Sequence, residues 1–98
     1  MAEPPYAPPT KRSVLISGHE TSISLEPIFW SALEIAARER GRPVNALVAQ
    51  IDASRLHAAR PPNLTSAIRQ WLFDQALGSG ENRAGEGGAA VGGVIEKE

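Results

Sequence analysis

Apolar and polar residues alternate over a short stretch of this chain and then change to the spacing of a helix. In residues 21–25, a larger or β-branched side chain alternates with a serine, the period-two pattern of a strand with one buried face. A second apolar run at residues 14–16 precedes this strand, and Gly18 between the two predicts a tight turn. Two pairings remain open: a hairpin within one chain, or the second strand paired with its own copy in another chain. Both pairings are also possible together, because the second strand has two edges: one can pair with residues 14–16 of the same chain and the other with a second copy.

The helical spacing begins at Pro27 and predicts three helices. Proline suits a first helical position because its missing N–H would have no partner there. The first helix covers residues 27–40, ends at Gly41, and carries an apolar stripe of Phe29, Leu33, Ala36 and Ala37, with Trp30 on its shoulder. The second helix starts at Pro43, and its buried face holds Val44, Leu47, Val48 and Ile51. Residues 52–60 either continue this helix or fray. The third starts at the N-cap Asn63, and its inner face holds Ala67, Ile68, Trp71, Leu72 and Ala76 or Leu77.

Composition divides the chain into three parts. Residues 1–10 hold four prolines, which favours a disordered arm, and residues 78–98 hold seven of the nine glycines, which favours a disordered tail. The folded part is therefore residues 11–77, whose core is marginal for a single chain without cysteine cross-links. That part has eight Lys and Arg against six Asp and Glu, a net charge of +2. This charge permits binding to nucleic acid without requiring it.

Few residues have the spacing that catalysis or metal binding needs. His19 and His57 stand apart, with no carboxylate or thiol partner at ligand spacing. Serine-elbow, zinc-helix and paired-carboxylate motifs are missing, so we expect no enzyme activity, metal or cofactor. No stretch approaches the ~20 apolar residues of a membrane span, and we expect no membrane partner. The lack of cysteine is consistent with a cytoplasmic protein.

The order of strand, helix, glycine corner and helix resembles the ribbon-helix-helix family. The resemblance is closest to a bacterial branch with a G-H-x-T-S-hydrophobic-x-L-E-x-x-F/M-W signature, which reads GHETSISLEPIFW at residues 18–30. Residues 45–48 (NALV), 51–52 (ID) and 63–69 (NLTSAIR) also look like that branch. The resemblance covers residues 11–77, and three separated blocks in the right order make it specific.

This resemblance implies a mainly α homodimer with a short β element. Two strands from different copies would pair into an intermolecular antiparallel ribbon above the first two helices of each copy, with the third helix as a C-terminal addition. The dimer interface would then be formed by the apolar residues of the strand and these two helices: Ile23, Leu25, Phe29, Trp30, Leu33, Leu47, Val48 and Ile51.

The resemblance also implies a double-stranded DNA partner, with the ribbon in the major groove. The outward residues that would face base edges are Ser22, Ser24 and also Glu20. Contacts to the DNA backbone would come from the start of the second helix and from residues beside the ribbon: Arg42, Val44, Asn45, Lys11, Arg12 and His19. The chain would then be a transcriptional regulator in the cytoplasm, associated with the nucleoid.

Two departures from this pattern leave an alternative open. Serines and a glutamate lack the forked donors and acceptors that read guanine or adenine, and Pro43 removes one N–H from the expected phosphate site. The alternative is a dimeric adaptor or antitoxin-like module that binds a protein through its surface or through residues 91–95 of the tail, with weak or no DNA binding. Steep salt dependence would distinguish DNA binding from an apolar protein interface.

Overall fold

The fold is a β-hairpin followed by three helices. A computed structural model describes residues 6–85 of the 98-residue chain, and the side chains of residues 6–78. The elements in chain order are β1 (Thr10–Ile16), β2 (His19–Leu25), α1 (Pro27–Glu39), α2 (Val44–Arg55) and α3 (Leu64–Gly85). The predicted order of a short β element, two helices and an additional C-terminal helix is therefore confirmed.

The two strands form one antiparallel hairpin that pairs over its whole length. The register runs from Ile16 opposite His19 at the turn to Thr10 opposite Leu25 at the open end. Ser17 and Gly18 form the two-residue turn with φ of 50° and 83°. Positive φ at both central residues is what a type I′ turn requires, and that turn matches the twist of the strands. Of the two pairings left open by the sequence, this structure shows the one within a chain, and the pairing of β2 with a second copy stays a prediction.

A glycine corner turns α1 into α2. The N–H of Arg40 donates to the carbonyls of Ala36 and Ala37 at the end of α1. Gly41 follows with a φ of 64°, and the next N–H, that of Arg42, donates back to the Ala37 carbonyl at 2.9 Å. Glycine adopts this left-handed conformation without the Cβ clash of other residues. The predicted stop at Gly41 is confirmed.

The starts of α2 and α3 use different caps. Pro43 is the residue before α2 rather than its first helical residue, and its carbonyl accepts from the N–H groups of Ala46 and Leu47. At α3 the Asn63 Oδ1 accepts from the Ser66 N–H at 2.8 Å, so the predicted N-cap is confirmed. Helix α2 ends at Arg55. Of residues 52–60, which the sequence left open as a continuation of this helix, only the first four are therefore helical.

Two predicted boundaries differ from the structure. The sequence places Thr10 in the arm, but this residue is the first of β1, because it pairs with Leu25. Helix α3 continues to Gly85, past the predicted limit at residue 77. A helix that has already nucleated gains one hydrogen bond for each residue it fixes, which lets it extend into a sequence with low propensity. Residues 1–5 of the predicted arm and 86–98 of the predicted tail lie outside the described residues.

The core lies between the inner face of the hairpin and the three helices. Trp30 is its largest buried side chain at 1% exposure, and its Nε1–H donates to the Thr10 carbonyl at 2.8 Å. The other buried residues come from every element: Val14, Ile16, Ile23, Leu25, Leu33, Ala36, Ala37, Leu47, Val48, Ile51, Ala67, Ile68 and Leu72.

Several apolar side chains are placed differently from the prediction. Trp30, expected on the shoulder of the α1 stripe, lies in the core, whereas Phe29, expected on the stripe, is only partly buried. The reason is that the hairpin packs against the Trp30 side of α1. On α3, Trp71 is partly buried, and Ala76 and Leu77 are exposed.

An ion pair joins the beginning of α1 to α3. Arg69 donates from Nε and Nη2 to the Glu26 carboxylate at 3.0 to 3.1 Å, and its guanidinium lies 5.6 Å from the centre of the Phe29 ring. A hydrogen bond from the backbone of Glu26 and the hydrogen bonds from Arg69 lower the pKa of the Glu26 carboxyl below its ordinary value of 4.5. The charged form of Glu26 is therefore favoured in the folded chain.

Replacing Leu33 with alanine should lower the free energy of unfolding by about 2–5 kcal/mol, because the side chain is fully buried and its loss leaves a cavity. Arg38→Ala on the same helix is the control: Arg38 is exposed, so the expected loss is below about 1 kcal/mol. Urea unfolding followed by circular dichroism measures both. Equal losses would contradict this assignment of the core.

The lowered pKa of Glu26 predicts a pH-dependent contribution to stability. A carboxyl whose pKa is depressed by folding stabilises the folded state above its unfolded pKa, and the contribution is lost as the pH falls through the folded pKa. Glu26→Gln should therefore destabilise the chain at pH 7, and the difference from wild type should shrink from pH 5 downward. Urea unfolding at several pH values measures this. The effect of Glu26→Gln should be smaller in an Arg69→Ala background, and equal effects in both backgrounds would contradict the role of the pair.

Candidate nucleic-acid interface

The outer face of the hairpin carries six exposed side chains in three cross-strand pairs. Alternation along each strand places Val14, Ile16, Ile23 and Leu25 on the buried face and the residues between them on the other. The register gives the outer pairs, which are Lys11 with Ser24, Ser13 with Ser22, and Leu15 with Glu20. The predicted residues Lys11, Ser22 and Ser24 thus share this face, between the middle of the ribbon and its open end.

Charge on this face is balanced but separated. Lys11 lies towards the open end of the ribbon and Glu20 lies beside the turn, with uncharged residues between them. The three serines each offer one hydroxyl that can donate or accept a hydrogen bond. The face can therefore make polar contacts along its length, while its positive charge is concentrated at one end.

Arg12 lies on the inner side of the hairpin, away from the outer row. Its guanidinium is 3.0 Å from the Glu34 carboxylate and lies 4.6 Å from the centre of the Trp30 ring. An ion pair and a cation–π contact both hold it against α1. The structure therefore places Arg12 where it joins β1 to α1, although its side chain remains 46% exposed.

His19 is separated from Lys11 by the length of the ribbon. It is the first residue of β2, lies beside the turn, and pairs with Ile16, a residue of the inner face. The structure therefore does not bring the predicted backbone-contacting residues into one cluster. Lys11 and His19 lie at opposite ends of the hairpin.

The start of α2 forms a second group of predicted residues. The N–H groups of Val44 and Asn45 have no backbone hydrogen-bond partner among the described residues, as expected for the first turn of a helix. The Arg42 side chain precedes this turn and donates to the Gln50 Oε1. These groups are available to an anion, and the Arg42 guanidinium has further N–H donors besides the one bonded to Gln50.

The residues predicted for the dimer interface lie mostly in the core of one chain. All of them except Phe29 are at most 2% exposed without a second copy. Their place in a dimer interface stays a prediction. The large apolar side chains that α1 and α3 do expose are others, namely Ile28, Ile35, Phe73 and Leu77.

Ser13 and Leu15 belong to this face but are absent from the residues predicted from the sequence. The prediction takes only residues 14–16 as extended and does not follow the alternation back from Ile16 to Lys11. The signal is present, because Val14 and Ile16 alternate with Ser13 and Leu15 just as Ile23 and Leu25 alternate with the serines of β2. The hairpin register then decides which of them share a face.

Within the described part of the chain, no helix is long and apolar enough to cross a membrane. The same residues contain no cluster of three or more His, Cys, Asp or Glu side chains with metal-binding geometry.

A groove between α1 and α3 is lined by Ala32, Ile35, Ala36, Glu39, Arg40, Leu72, Gln75 and Ala76. It has a volume of about 230 Å³, below the range of typical small-molecule sites.

Comparison with known proteins agrees with this architecture. The profile of the ribbon-helix-helix domain family matches residues 9–76. Among solved structures, an uncharacterized protein from Bordetella pertussis Tohama I is similar, with a TM-score of 0.64 and 29% sequence identity over 76% of this chain. The chain spans 61% of the length of that protein. No curated protein matches the chain. Because the family match takes in the hairpin, α1, α2 and the first half of α3, the chain belongs to the ribbon-helix-helix domain family.

Proposed function

We propose that this protein is a homodimeric DNA-binding regulator of transcription that inserts a two-stranded ribbon into the major groove. The observation that carries the proposal is the exposed outer row of the hairpin, on a fold whose family typically binds DNA. Two paired strands are about 4.8 Å apart, and the major groove is about 12 Å wide, so a ribbon of this size enters it. Acting on the chromosome, the protein would work in the cytoplasm, at the nucleoid.

Phosphate contacts in this proposal come from the ends of the ribbon and from α2. Lys11 supplies a flexible cation beside the base-facing serines, and His19 adds a donor near the turn. The free N–H groups of Val44 and Asn45, with Arg42 next to them, fit a phosphate oxygen. Arg12 contributes less, because its guanidinium is engaged by Glu34 and Trp30.

Two features support association with a second copy. The hairpin is a two-stranded sheet, so each strand has an edge without a strand partner among the described residues. In addition, Ile28 and Ile35 of α1 and Phe73 and Leu77 of α3 are each about half exposed or more. An apolar surface of this kind is often covered in an assembly.

The same exposed apolar surface favours the second candidate function, a protein-binding adaptor or antitoxin-like module. Ile28 and Ile35 share a face of α1 at helical spacing, and Phe73 and Leu77 share a face of α3. The neutral outer row of the hairpin supports this candidate as well, because it provides little attraction for phosphate. Residues 91–95, the tail segment of this alternative, lie outside the described residues.

Selection from a pool of random duplex DNA, at low and moderate salt, tests DNA binding. The full chain should enrich a motif, and its affinity should fall steeply with salt as counterions are released. Ser22→Ala with Ser24→Ala should reduce affinity for that motif by about tenfold, on the order of two hydrogen bonds. The matched control is Ser31→Ala with Ser54→Ala, which removes two exposed hydroxyls from α1 and α2 and should bind as wild type.

The outcomes separate the two candidates. Binding without enrichment would limit the protein to backbone contacts led by Lys11 and Arg42, and would overturn base reading by the serines. No binding at low salt would overturn the DNA proposal. In that case the adaptor is favoured, and its association should be insensitive to salt because it depends on apolar surface.

A further inference from the structure

The edge of β2 that faces away from β1 carries backbone groups without a strand partner among the described residues. In an antiparallel hairpin with a two-residue turn, the two residues beside the turn form a hydrogen-bonded pair, and bonded pairs then alternate with non-bonded ones. Here the pair beside the turn is Ile16 with His19. The N–H and carbonyl groups of Glu20, Ser22 and Ser24 therefore point to the free edge of β2.

These three residues limit how β2 of a second copy pairs with this edge. An antiparallel pair between identical strands has a two-fold axis, and the free backbone groups of each copy must face each other. When Ser22 lies opposite its own copy, Glu20 lies opposite Ser24 of the second copy, and all seven residues of β2 are paired. A shifted register leaves the end residues of each strand unpaired. The full-length register therefore forms the most hydrogen bonds.

This register brings opposite charges from the two copies into one row of the outer face. Lys11 of β1 lies beside Ser24, and Ser24 lies beside Glu20 of the second copy. Neighbouring Cα atoms in such a row are about 4.5 Å apart in a non-bonded pair and about 5.5 Å apart in a bonded pair. The Cα atoms of Lys11 and of Glu20 in the second copy would then be about 10 Å apart. A lysine has a long flexible stem, and only a small serine lies between the two side chains.

Neither charge has a partner within the described part of one chain. Lys11 and Glu20 are both exposed, and the ion pairs formed by the described residues join other side chains. In the same chain they are about 14 Å apart along the hairpin, because Lys11 lies near its open end and Glu20 beside its turn. The two charges are therefore better placed to meet between copies than within one.

An ion pair at this position would favour one register and one kind of partner. In a shifted register Glu20 no longer lies opposite Ser24 of the second copy, so it moves away from Lys11. A single exposed ion pair is weak, but the two-fold axis gives each dimer two of them. A partner with a like charge at either position would be repelled.

We propose that Lys11 of each copy forms an ion pair with Glu20 of the other copy, and that these two pairs select the partner and the register of the dimer. The proposal rests on the homodimer of the proposed function and adds the residues by which the copies recognise each other. It involves the added strand β1 as well as β2, and it does not depend on DNA binding.

Mixing two charge-reversed full-length chains tests this proposal. Lys11→Glu alone would place two glutamates together in its own dimer, and Glu20→Lys alone would place two lysines together. Each variant should dimerise about tenfold more weakly than wild type in sedimentation equilibrium. A dimer of one chain of each kind restores both ion pairs. Native mass spectrometry, with one chain labelled with ¹⁵N, should therefore show roughly nine tenths heterodimer, against about half by chance.

The matched control reverses the same two charges outside the hairpin. Arg60→Glu and Asp74→Lys both change exposed residues, and their mixture should give the chance proportion of heterodimer. The preference of the test pair should also fade in concentrated ammonium acetate, because salt screens exposed charges.

Two further variants separate the ion pair from a loss of folding. A chain with both Lys11→Glu and Glu20→Lys should dimerise as wild type, because the reversed charges meet again between copies. The neutral changes Lys11→Gln and Glu20→Gln should each weaken the dimer about threefold, and together no more than either alone. Circular dichroism checks that every variant is folded.

Three results would overturn the proposal. A chance proportion of heterodimer from the test pair, or the same preference in the control pair, would exclude the ion pair while the homodimer itself would stand. Additive losses in the two neutral variants would show that Lys11 and Glu20 act independently. A wild-type chain that stays monomeric would remove the homodimer of the proposed function and this ion pair together.

Discussion

The packing of the hairpin on Trp30 is the contact on which the arrangement of this chain depends. The indole ring is buried between the inner face of the strands and the helices, and its N–H is bonded to the backbone of Thr10 at the open end of β1. A buried tryptophan contributes a large apolar area, and its N–H group needs a hydrogen-bond partner. The buried ring therefore holds the hairpin against α1, and the bond to Thr10 fixes where β1 lies along that helix. Arg12 then covers the ring and reaches Glu34, which holds β1 along α1.

This packing decides which side chains are available for function. A strand shows alternate residues to opposite sides, so burying Val14 and Ile16 turns Ser13 and Leu15 outward. The same constraint keeps Arg12 on the side of the helices and leaves Lys11 as the cation of the outer row. The proposed ribbon is therefore poorer in positive charge than the sequence suggests, and base contacts and the start of α2 must supply more of any affinity for DNA.

Completing the core within one chain changes what a second copy could contribute. The residues expected at a dimer interface are packed against β1 and α3, which provide the partners that the second strand and the first two helices need. Helix α3 is held there by the Glu26–Arg69 pair and by Arg40, which lies 4.9 Å from the centre of the Trp71 ring and donates to Gln75. The apolar side chains that remain exposed on α1 and α3 are then a surface that the proposed association would use.

Local patterns in the sequence were enough to specify the element types and most of their limits. They predicted the second strand, the end of α1 at Gly41 and the start of α3 at Asn63, because each of these features depends on the residue's own backbone or on its nearest neighbours in the chain. The burial of Trp30 rather than Phe29, the pairing of Thr10 with Leu25 and the contact of Arg12 with Glu34 became clear only from the folded chain. Each of these depends on the hairpin register and on the face of α1 that the hairpin covers. Those are contacts between residues far apart in the chain, and no local pattern of the sequence specifies them.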